Sequence, residues 1–355
     1  MRLGLSDTLP ALVAKRFTAA RDAGHLVFSA TELSIINAAG VPYQLRYCPA
    51  LAKKPTKPTP DNEPKTPKPD PFENPSPDLL IAQIPAENPT YNLILNKFPV
   101  IPNHFLLVTK EWSAQTDILD KADLEATYEC LKAWNADGDG SSSANGSSSK
   151  SLFAFFNSGD DSGASQPHRH LQFLPVEAMR QPGPESWHPL IDLLGGQPTS
   201  PGPSSTSKFH HLQGLPFAHF ALPLPSNPSA NVLHSIYLKL YKAAAAATRG
   251  QSPGEDTEQS PTAGPASISY NLAMTRSMMM ICPRRHETAL ISVDCATAGE
   301  VADAGVLSLN GTILAGTLMV KAEGEWDSLR QNPEQLVQVL ASIGYPRTDS
   351  RGPSL

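Results

Sequence analysis

The sequence has little cysteine, and the four cysteines it contains stand apart from one another as Cys48, Cys130, Cys282 and Cys295. Zinc sites and dithiol redox motifs need cysteines paired at short spacing, so neither kind of site is predicted. Single cysteines are typical of proteins kept in a reducing compartment. We therefore expect a cytoplasmic protein, with the nucleus as a second location.

The chain also lacks a basic excess and a long apolar run. Its formal net charge is −6 over 355 residues, and no stripe of lysine and arginine stands out. This predicts no nucleic-acid partner, because binding to a phosphate backbone depends on clustered positive charge. The apolar run at the N-terminus is short and interrupted, and no later run reaches bilayer length, so neither a signal peptide nor a membrane partner is predicted.

Proline, in contrast, is abundant, with 35 residues concentrated in segments that also contain serine, glycine and charged residues. Such segments cannot bury enough apolar surface to offset the entropy of ordering. We predict that they are solvated surface insertions, with the first one an extended, disordered loop. They cover residues about 55–77, 138–149, 198–207 and 250–267.

The most informative stretch is the strand-like run from Gln166 to Pro175. Alternate side chains of a strand share one face, so His168, His170 and Gln172 point to one side while Leu171 and Phe173 point into a core. A row of three polar groups makes a poor core face and a good wall for a site. The small, polar turn before it, 157–165, is of the kind whose backbone amides hold phosphate.

Two chemical interpretations of this polar row compete with a purely structural one, in which the histidines pack in a polar cluster. Two histidines at this spacing can chelate a metal ion, but a metal site needs further ligands, and Gln172 is a weak one. Alternatively, one neutral imidazole attacks phosphorus, which requires no prior deprotonation at pH 7. We favour the nucleophile and predict no metal site.

Hydrophobic patterning predicts strands that follow one another in hairpins rather than alternating with helices, which favours an antiparallel α+β fold. The predicted helices have period 3.6 and recognisable ends. The predicted strands are 79–84, 91–95, 105–109, 152–156, 168–174, 217–222, 268–274, 278–282 and 290–293, and the helices are 8–23, 120–134, a turn or two around Ile191, 232–247 and 334–343.

The run His168-Arg169-His170-Leu171-Gln172 resembles the HxHxQ signature of the transferase branch of the histidine-triad superfamily. Two families share this signature, the hexose-1-phosphate uridylyltransferases and the diadenosine tetraphosphate phosphorylases of the fungal type. The chain is more similar to the second, in blocks that follow one another in the family's order. These blocks are 48–55 (CPALAKKP), 92–112 (NLILNKFPVIPNHFLLVTKEW), 157–175 (NSGDDSGASQPHRHLQFLP) and 269–287 (SYNLAMTRSMMMICPRRHE).

This resemblance implies a histidine-triad-like antiparallel sheet with flanking helices and Pro/Ser/Gly-rich surface insertions. Residues 1–197 would form an N-terminal catalytic portion that carries the HxHxQ motif. Residues 208–347 would form a C-terminal ATP-adenylyltransferase portion that folds back and completes the site, followed by a tail at 348–355.

The resemblance also implies an activity, the phosphorolysis of diadenosine tetraphosphate to ATP and ADP and the reverse adenylyl transfer. The expected partners are diadenosine tetraphosphate, ATP, ADP and inorganic phosphate. His170 would attack the α-phosphorus to form a covalent AMP-histidine, His168 would orient the site, and Gln172 would replace the third histidine of the hydrolases. No tightly bound cofactor is expected, since Mg²⁺ would arrive with the nucleotide.

Substrate-binding residues follow from the matched blocks. A lysine at Lys54, or its neighbour Lys53, would lie near the phosphates, and an arginine at Arg284 or Arg285 would make forked phosphate contacts. The remaining candidates lie in the turns and strands around the polar row. They are Asn96, Lys97, Asn157, Gly163, Ala164, Ser165, Gln166, Asn271, Thr275 and Arg276.

Two alternatives stay open at this point. A uridylyltransferase would commonly carry paired N-terminal cysteines and proline between the polar positions of its motif, and this chain has neither. A nucleotide-binding sensor that has lost turnover would keep the fold, although the intact polar row argues against it.

Overall fold

The computed structural model describes residues 1–53, 69–135, 150–184, 186–194, 209–252, 260–291 and 305–347. Helices and strands are interspersed along these residues. The helices are α1 (Leu9–Asp22), α2 (Lys121–Trp134), α3 (Val176–Met179), α4 (Leu190–Leu193), α5 (Ala230–Thr248), α6 (Glu323–Gln331) and α7 (Gln335–Ile343). The strands are β1 (Glu32–Ala38), β2 (Val41–Tyr47), β3 (Leu80–Ile84), β4 (Tyr91–Leu95), β5 (Phe105–Thr109), β6 (Leu152–Ser158), β7 (His170–Pro175), β8 (Phe220–Pro223), β9 (Tyr270–Met274), β10 (Met278–Pro283), β11 (Thr288–Ile291), β12 (Gly305–Ser308) and β13 (Thr317–Val320).

An eight-stranded antiparallel sheet forms the centre of the molecule, in the order β3-β4-β5-β7-β6-β9-β10-β8. Strands β3 to β7 come from the N-terminal portion and β8 to β10 from the C-terminal portion. The two portions meet where β6 pairs with β9, with Asn157 opposite Asn271. One sheet therefore runs through both portions, and the α+β fold with a large antiparallel sheet is confirmed.

Both faces of this sheet are covered, because alternate residues of its strands enter two different cores. On one face Phe105 stacks on Phe173 with ring centroids 4.8 Å apart, and α2 and α5 pack over them. On the other face Phe153 and Phe155 join a second core with α4, α6 and α7. The sheet is thus a rigid middle layer. Within the described residues, none of the helices has the length and apolarity that a bilayer crossing requires.

The smaller three-stranded sheet, β1-β2-β13, contains strands that the sequence did not predict. Strand β2 carries a proline and the buried polar residues Gln44 and Arg46, so its pattern does not read as a core strand. Gln44 Nε2 donates to the carbonyl oxygen of Met179 at 2.8 Å, and the Arg46 guanidinium donates to the same oxygen. Tertiary partners therefore stabilise a strand that lacks a local signal.

Two of the four predicted insertions contact the body of the protein where the structure describes them, although most of their described residues are exposed or partly exposed. Residues 69–77 lie against the large sheet, where the Phe72 side chain is buried. At the end of the fourth insertion, Gly264 accepts a hydrogen bond from the Ile118 amide, and Ala266 donates one to Thr116. Residues 138–149 and 198–207 lie outside the described residues, as do 54–68.

An ion pair below the sheet fixes the start of β7. Arg169 points away from the flanking histidines, and its Nη1 donates to the Asp123 carboxylate of α2 at 2.8 Å. Both side chains are buried, and the Tyr91 hydroxyl donates to the other carboxylate oxygen at 2.8 Å. Burial raises the pKa of Asp123, and the adjacent Arg169 guanidinium opposes that shift. The pair joins α2, β4 and the residue between the two histidines.

We predict that Asp123→Asn lowers the free energy of unfolding by about 3 kcal/mol, because it leaves a buried guanidinium without its main counter-charge. Asp327→Asn is the matched control, since Asp327 and Arg330 form a half-exposed pair at 3.7 Å whose loss should cost under about 1 kcal/mol. Urea unfolding of both variants measures the difference. Equal losses would contradict the assignment of Asp123 as a structural anchor.

Candidate active site

The site lies where β6 and β7 separate. The two strands pair from Leu152 opposite Pro175 as far as Phe155 opposite Gln172, and the ladder stops there. The side chain of Gln115 fills the gap beyond it. Its Oε1 accepts a hydrogen bond from the His170 amide at 2.7 Å, and its Nε2 donates to the Asn157 carbonyl at 2.8 Å. One side chain therefore replaces the missing ladder and holds the strands open beside His170.

His170 has one ring nitrogen that is free of protein partners among the described residues. Its Nδ1–H donates to the backbone carbonyl of His168 at 2.8 Å, so the lone pair is on Nε2. No group among the described residues forms a hydrogen bond with Nε2. Burial lowers the pKa of His170 to about 4, and the hydrogen bond from Nδ1 opposes that shift only in part. The ring is therefore uncharged at pH 7.

The ring of His168 is fully occupied by protein partners. Its Nε2 lies 2.8 Å from the Thr109 carbonyl oxygen and 3.0 Å from the Thr109 hydroxyl, and its Nδ1 faces the Asp70 carboxylate at 2.6 Å. The ring is buried, with 1% of its surface exposed. Because neither nitrogen of His168 is free, the two histidines cannot chelate one metal ion in this arrangement. Both ring nitrogens of His168 are thus engaged by protein groups, and its role in orienting the site stays a prediction.

Gln172 is oriented by a residue that the sequence analysis did not select. Asn96 Nδ2 donates to His104 Nδ1 at 3.2 Å, and His104 Nε2 donates to Gln172 Oε1 at 3.1 Å. This series of hydrogen bonds fixes the Gln172 amide with its oxygen toward His104. Its NH₂ group is then the end that can donate to a ligand. Asn96 thus acts through His104, and its own Oδ1 accepts from the Phe98 amide at 2.8 Å.

The turn before β7 has the geometry of an anion site. Gly159 and Gly163 have φ angles of 88° and 78°, in the region that favours glycine. At Gly163 a Cβ would come within 2.8 Å of the Leu309 carbonyl oxygen. In the described part of the chain, the amides of Ala164, Ser165 and Gln166 donate to no protein acceptor. Successive free amides of this kind can bind a phosphate group.

A buried polar network supports this turn from the C-terminal portion. Asn157 Oδ1 accepts hydrogen bonds from Asn271 Nδ2 and from the Gly311 amide, both at 2.9 Å. Asn271 Nδ2 also donates to the Ser162 carbonyl at 2.9 Å. The side chains of Asn157 and Asn271 therefore connect the start of the turn to β9 and to the 3₁₀ helix Gly311–Ala315, which follows β12.

Arg284 belongs to this network, which differs from its expected role as a phosphate ligand. Its Nη1 donates to Asn271 Oδ1 at 2.5 Å and its Nη2 to the Leu309 carbonyl at 3.1 Å, and the side chain is fully buried. Burial lowers its pKa. Its guanidinium supports the turn from behind, and Arg285 is the exposed member of the pair.

The other predicted binding residues lie farther from His170. Lys97 is exposed in the β4–β5 turn, with Nζ 5.8 Å from the Phe98 ring centroid. Thr275 and Arg276 occupy the β9–β10 turn, at the opposite end of β9 from Asn271. Thr275 lies four positions beyond Asn271 along the strand, a distance of roughly 13 Å. Lys54 lies outside the described residues. A role in binding stays a prediction for all of these residues.

Three residues at the site were missed: Gln115, His104 and Asp70. His104 stands immediately before a buried strand inside one of the matched blocks, and that position was the only available signal. Gln115 lies in a loop 55 positions from His170 and Asp70 is 98 positions from His168, so no local pattern connects them with the row.

We predict that Gln115→Leu lowers both stability and turnover, because it leaves the His170 amide and the Asn157 carbonyl buried without partners. The expected loss of unfolding free energy is about 1–3 kcal/mol. Gln83→Leu is the control, since Gln83 is exposed and its side chain donates only to Asn92. Chemical denaturation and steady-state kinetics of both variants test this, and wild-type behaviour of Gln115→Leu would contradict it.

Comparisons with known proteins agree on one family. A family model described as the Ap4A phosphorylase N-terminal domain matches residues 3–194, and one described as the ATP adenylyltransferase C-terminal domain matches residues 213–346. Diadenosine 5',5'''-P1,P4-tetraphosphate phosphorylase 2 of Saccharomyces cerevisiae is 28% identical over 356 residues, which cover 99% of this chain and 98% of the relative.

Solved structures give the same result. The crystal structure of yeast Ap4A phosphorylase Apa2 is similar to this chain with a TM-score of 0.72 and 27% identity, over 96% of this chain and 99% of that one. The structure of the same yeast enzyme in complex with Ap4A has a TM-score of 0.72 and 26% identity, with the same coverage.

Proposed function

The chain belongs to the Ap4A phosphorylase family, and from that membership we propose that it cleaves diadenosine tetraphosphate (Ap4A) by phosphorolysis to ATP and ADP, and catalyses the reverse adenylyl transfer. The observation that carries the proposal is the unpartnered Nε2 of neutral His170 beside a turn with three free backbone amides. A nucleophile for phosphorus and a binding site for its oxygens thus lie together.

In the first half of the reaction, His170 Nε2 attacks the α-phosphorus of one adenosyl group. A nitrogen–phosphorus bond forms, the bond from phosphorus to the bridging oxygen breaks, and ATP leaves with that electron pair. The imidazole ring becomes positively charged as the bond forms. The His168 carbonyl, which accepts the Nδ1–H at 2.8 Å, stabilises that charge.

In the second half, an oxygen of inorganic phosphate attacks the same phosphorus, the nitrogen–phosphorus bond breaks, and ADP forms. Gln172 cannot supply a proton in either half, because an amide is not an acid at neutral pH. Neither half needs one, since ATP leaves as a stabilised polyphosphate anion and a phosphate dianion attacks without a base. The NH₂ group of Gln172 is then available as a hydrogen-bond donor to a phosphoryl oxygen.

The remaining charge of the tetraphosphate requires donors and cations around the row. The amides of Ala164, Ser165 and Gln166 would bind the α-phosphate, and the exposed cations Lys97 and Arg285 would contact the outer phosphates. Mg²⁺ would enter with the nucleotide rather than as a resident cofactor. Thr275 and Arg276, in the more distant turn, would contact the far nucleoside of so long a substrate.

The direct test is to incubate the protein with Ap4A, with and without inorganic phosphate, and to separate the products by ion-exchange chromatography. Wild-type protein should give equimolar ATP and ADP with phosphate. We predict that His170→Ala lowers turnover by at least about 10⁴-fold and leaves AMP binding nearly unchanged, because the nucleophile contributes to chemistry more than to binding.

His25→Ala is the matched control, since His25 is half-exposed and pairs with Asp78 at 3.4 Å. It should retain full activity. Wild-type protein that binds Ap4A without releasing ATP would favour a nucleotide sensor over an enzyme, and an active His170→Ala variant would remove His170 as the nucleophile.

The pH dependence of the first half-reaction should show the low pKa of His170. The neutral ring is the reactive form, so the rate is retained above its pKa and is lost as the pH falls through about 4. A terminal phosphate has a second ionisation at about pH 6, but Ap4A has no terminal phosphate, so the substrate does not titrate in this range. We predict a flat rate of ATP release between pH 7 and roughly pH 5 in rapid-quench experiments. A rate that halves near 6.5, the ordinary value for histidine, would contradict this.

A further inference from the structure

The segment from Asp70 to Phe72 lies against both histidines of the row. The Asp70 carboxylate is 2.6 Å from His168 Nδ1. The Phe72 ring centroid lies 5.9 Å from that of His168 and 5.1 Å from that of His170. These residues belong to a stretch whose composition predicts a solvated loop, and none of the four family blocks includes them.

Hydrogen-bond partners determine where the protons of His168 lie. Nε2 of His168 lies 2.8 Å from the Thr109 carbonyl oxygen and 3.0 Å from the Thr109 hydroxyl, which can donate to it. A lone pair on Nδ1 could not face a carboxylate oxygen at 2.6 Å, and a proton must therefore lie between Nδ1 and Asp70 Oδ2. His168 Nδ1–H therefore donates a charge-assisted hydrogen bond to the Asp70 carboxylate.

Asp70 itself is held in place on both sides. Its other oxygen, Oδ1, accepts a hydrogen bond from the Phe72 amide at 2.8 Å, which fixes the plane of the carboxylate. The Phe72 side chain is 7% exposed and packs with Ile94, Leu106 and Val108 on the site face of the sheet. The carboxylate is thus oriented by a locally anchored turn rather than by a mobile side chain.

We propose that Asp70 is a positioning residue for the phosphorolysis of Ap4A, a proposal that rests on the function given above. It acts through His168 on the nucleophile. The Asp70 carboxylate and the Thr109 carbonyl bind the two ends of the His168 ring and fix that residue. The backbone carbonyl of His168 then fixes the Nδ1–H of His170 and directs Nε2 at phosphorus.

This arrangement has a specific kinetic consequence. Asp70 reaches the phosphorus only through His170, which takes part in both half-reactions. Loss of the carboxylate should therefore slow ATP release and ADP formation by a similar factor. A residue that bound the incoming phosphate directly would slow ADP formation alone, and a residue that bound Ap4A would raise KM.

The test compares Asp70→Asn, Asp70→Glu and Asp78→Asn in the Ap4A assay. Asparagine keeps the size of the side chain and the acceptor for the Phe72 amide, but removes the charge that faces His168 Nδ1. We expect Asp70→Asn to lower kcat roughly 10- to 100-fold with KM for Ap4A within a factor of about 3. Asp70→Glu, which restores the carboxylate, should recover at least part of the loss.

Asp78→Asn is the matched control, because Asp78 lies a few positions beyond that segment and its half-exposed side chain contacts His25. It should retain wild-type kcat. Thermal unfolding and AMP titration of each variant show that it is folded. Provided that wild type turns over, an unchanged kcat in Asp70→Asn would overturn this proposal. A change in KM alone would also overturn it, as would an Asp70→Glu variant no more active than Asp70→Asn. Absence of turnover in wild type would instead overturn the proposed function.

Discussion

The hydrogen bond between Asn157 and Asn271 is the contact on which the rest of the site depends. It joins β6 of the N-terminal portion to β9 of the C-terminal portion, at positions that also face each other in the sheet register. The same two amides hold Ser162 of the glycine turn and Gly311 of the 3₁₀ helix. The glycine turn is therefore held by both portions, whereas the hydrogen bonds of His170 to Gln115 and His168 lie within the N-terminal portion.

A rigid layer beneath the row explains how such a site keeps its geometry. Neighbouring residues of β7 point in opposite directions, so Arg169 is bound in a buried ion pair while the histidines on either side face the site. Gln115 separates β6 from β7 without leaving backbone groups unpaired. The opening beside His170 is thus built into the sheet.

The sequence was informative where function depends on local spacing. Period-two patterning predicted most strands of the large sheet, and the row His168, His170 and Gln172 with its small, polar turn was predicted as the site. It was uninformative where function depends on residues distant in the chain. The composition around Asp70 predicted a solvated loop, yet its carboxylate contacts His168. Arg284 was predicted as a phosphate ligand, but it is buried and donates to Asn271. The partner of Gln44 and Arg46 lies in another element of the fold. Such contacts exist only after folding.

The sheet shared by both portions also matters for how the protein is made. Asn157 and Asn271 are 114 positions apart, so β6 leaves the ribosome long before β9. Until β9 arrives, one side of β6 is an open edge with unpaired amides and carbonyls, the kind of surface at which chains aggregate. A nascent or truncated chain therefore has both an incomplete site and an adhesive edge. Pairing of β9 with β6 completes the site and covers the open edge at the same time. We therefore expect solubility and activity to be gained together during synthesis.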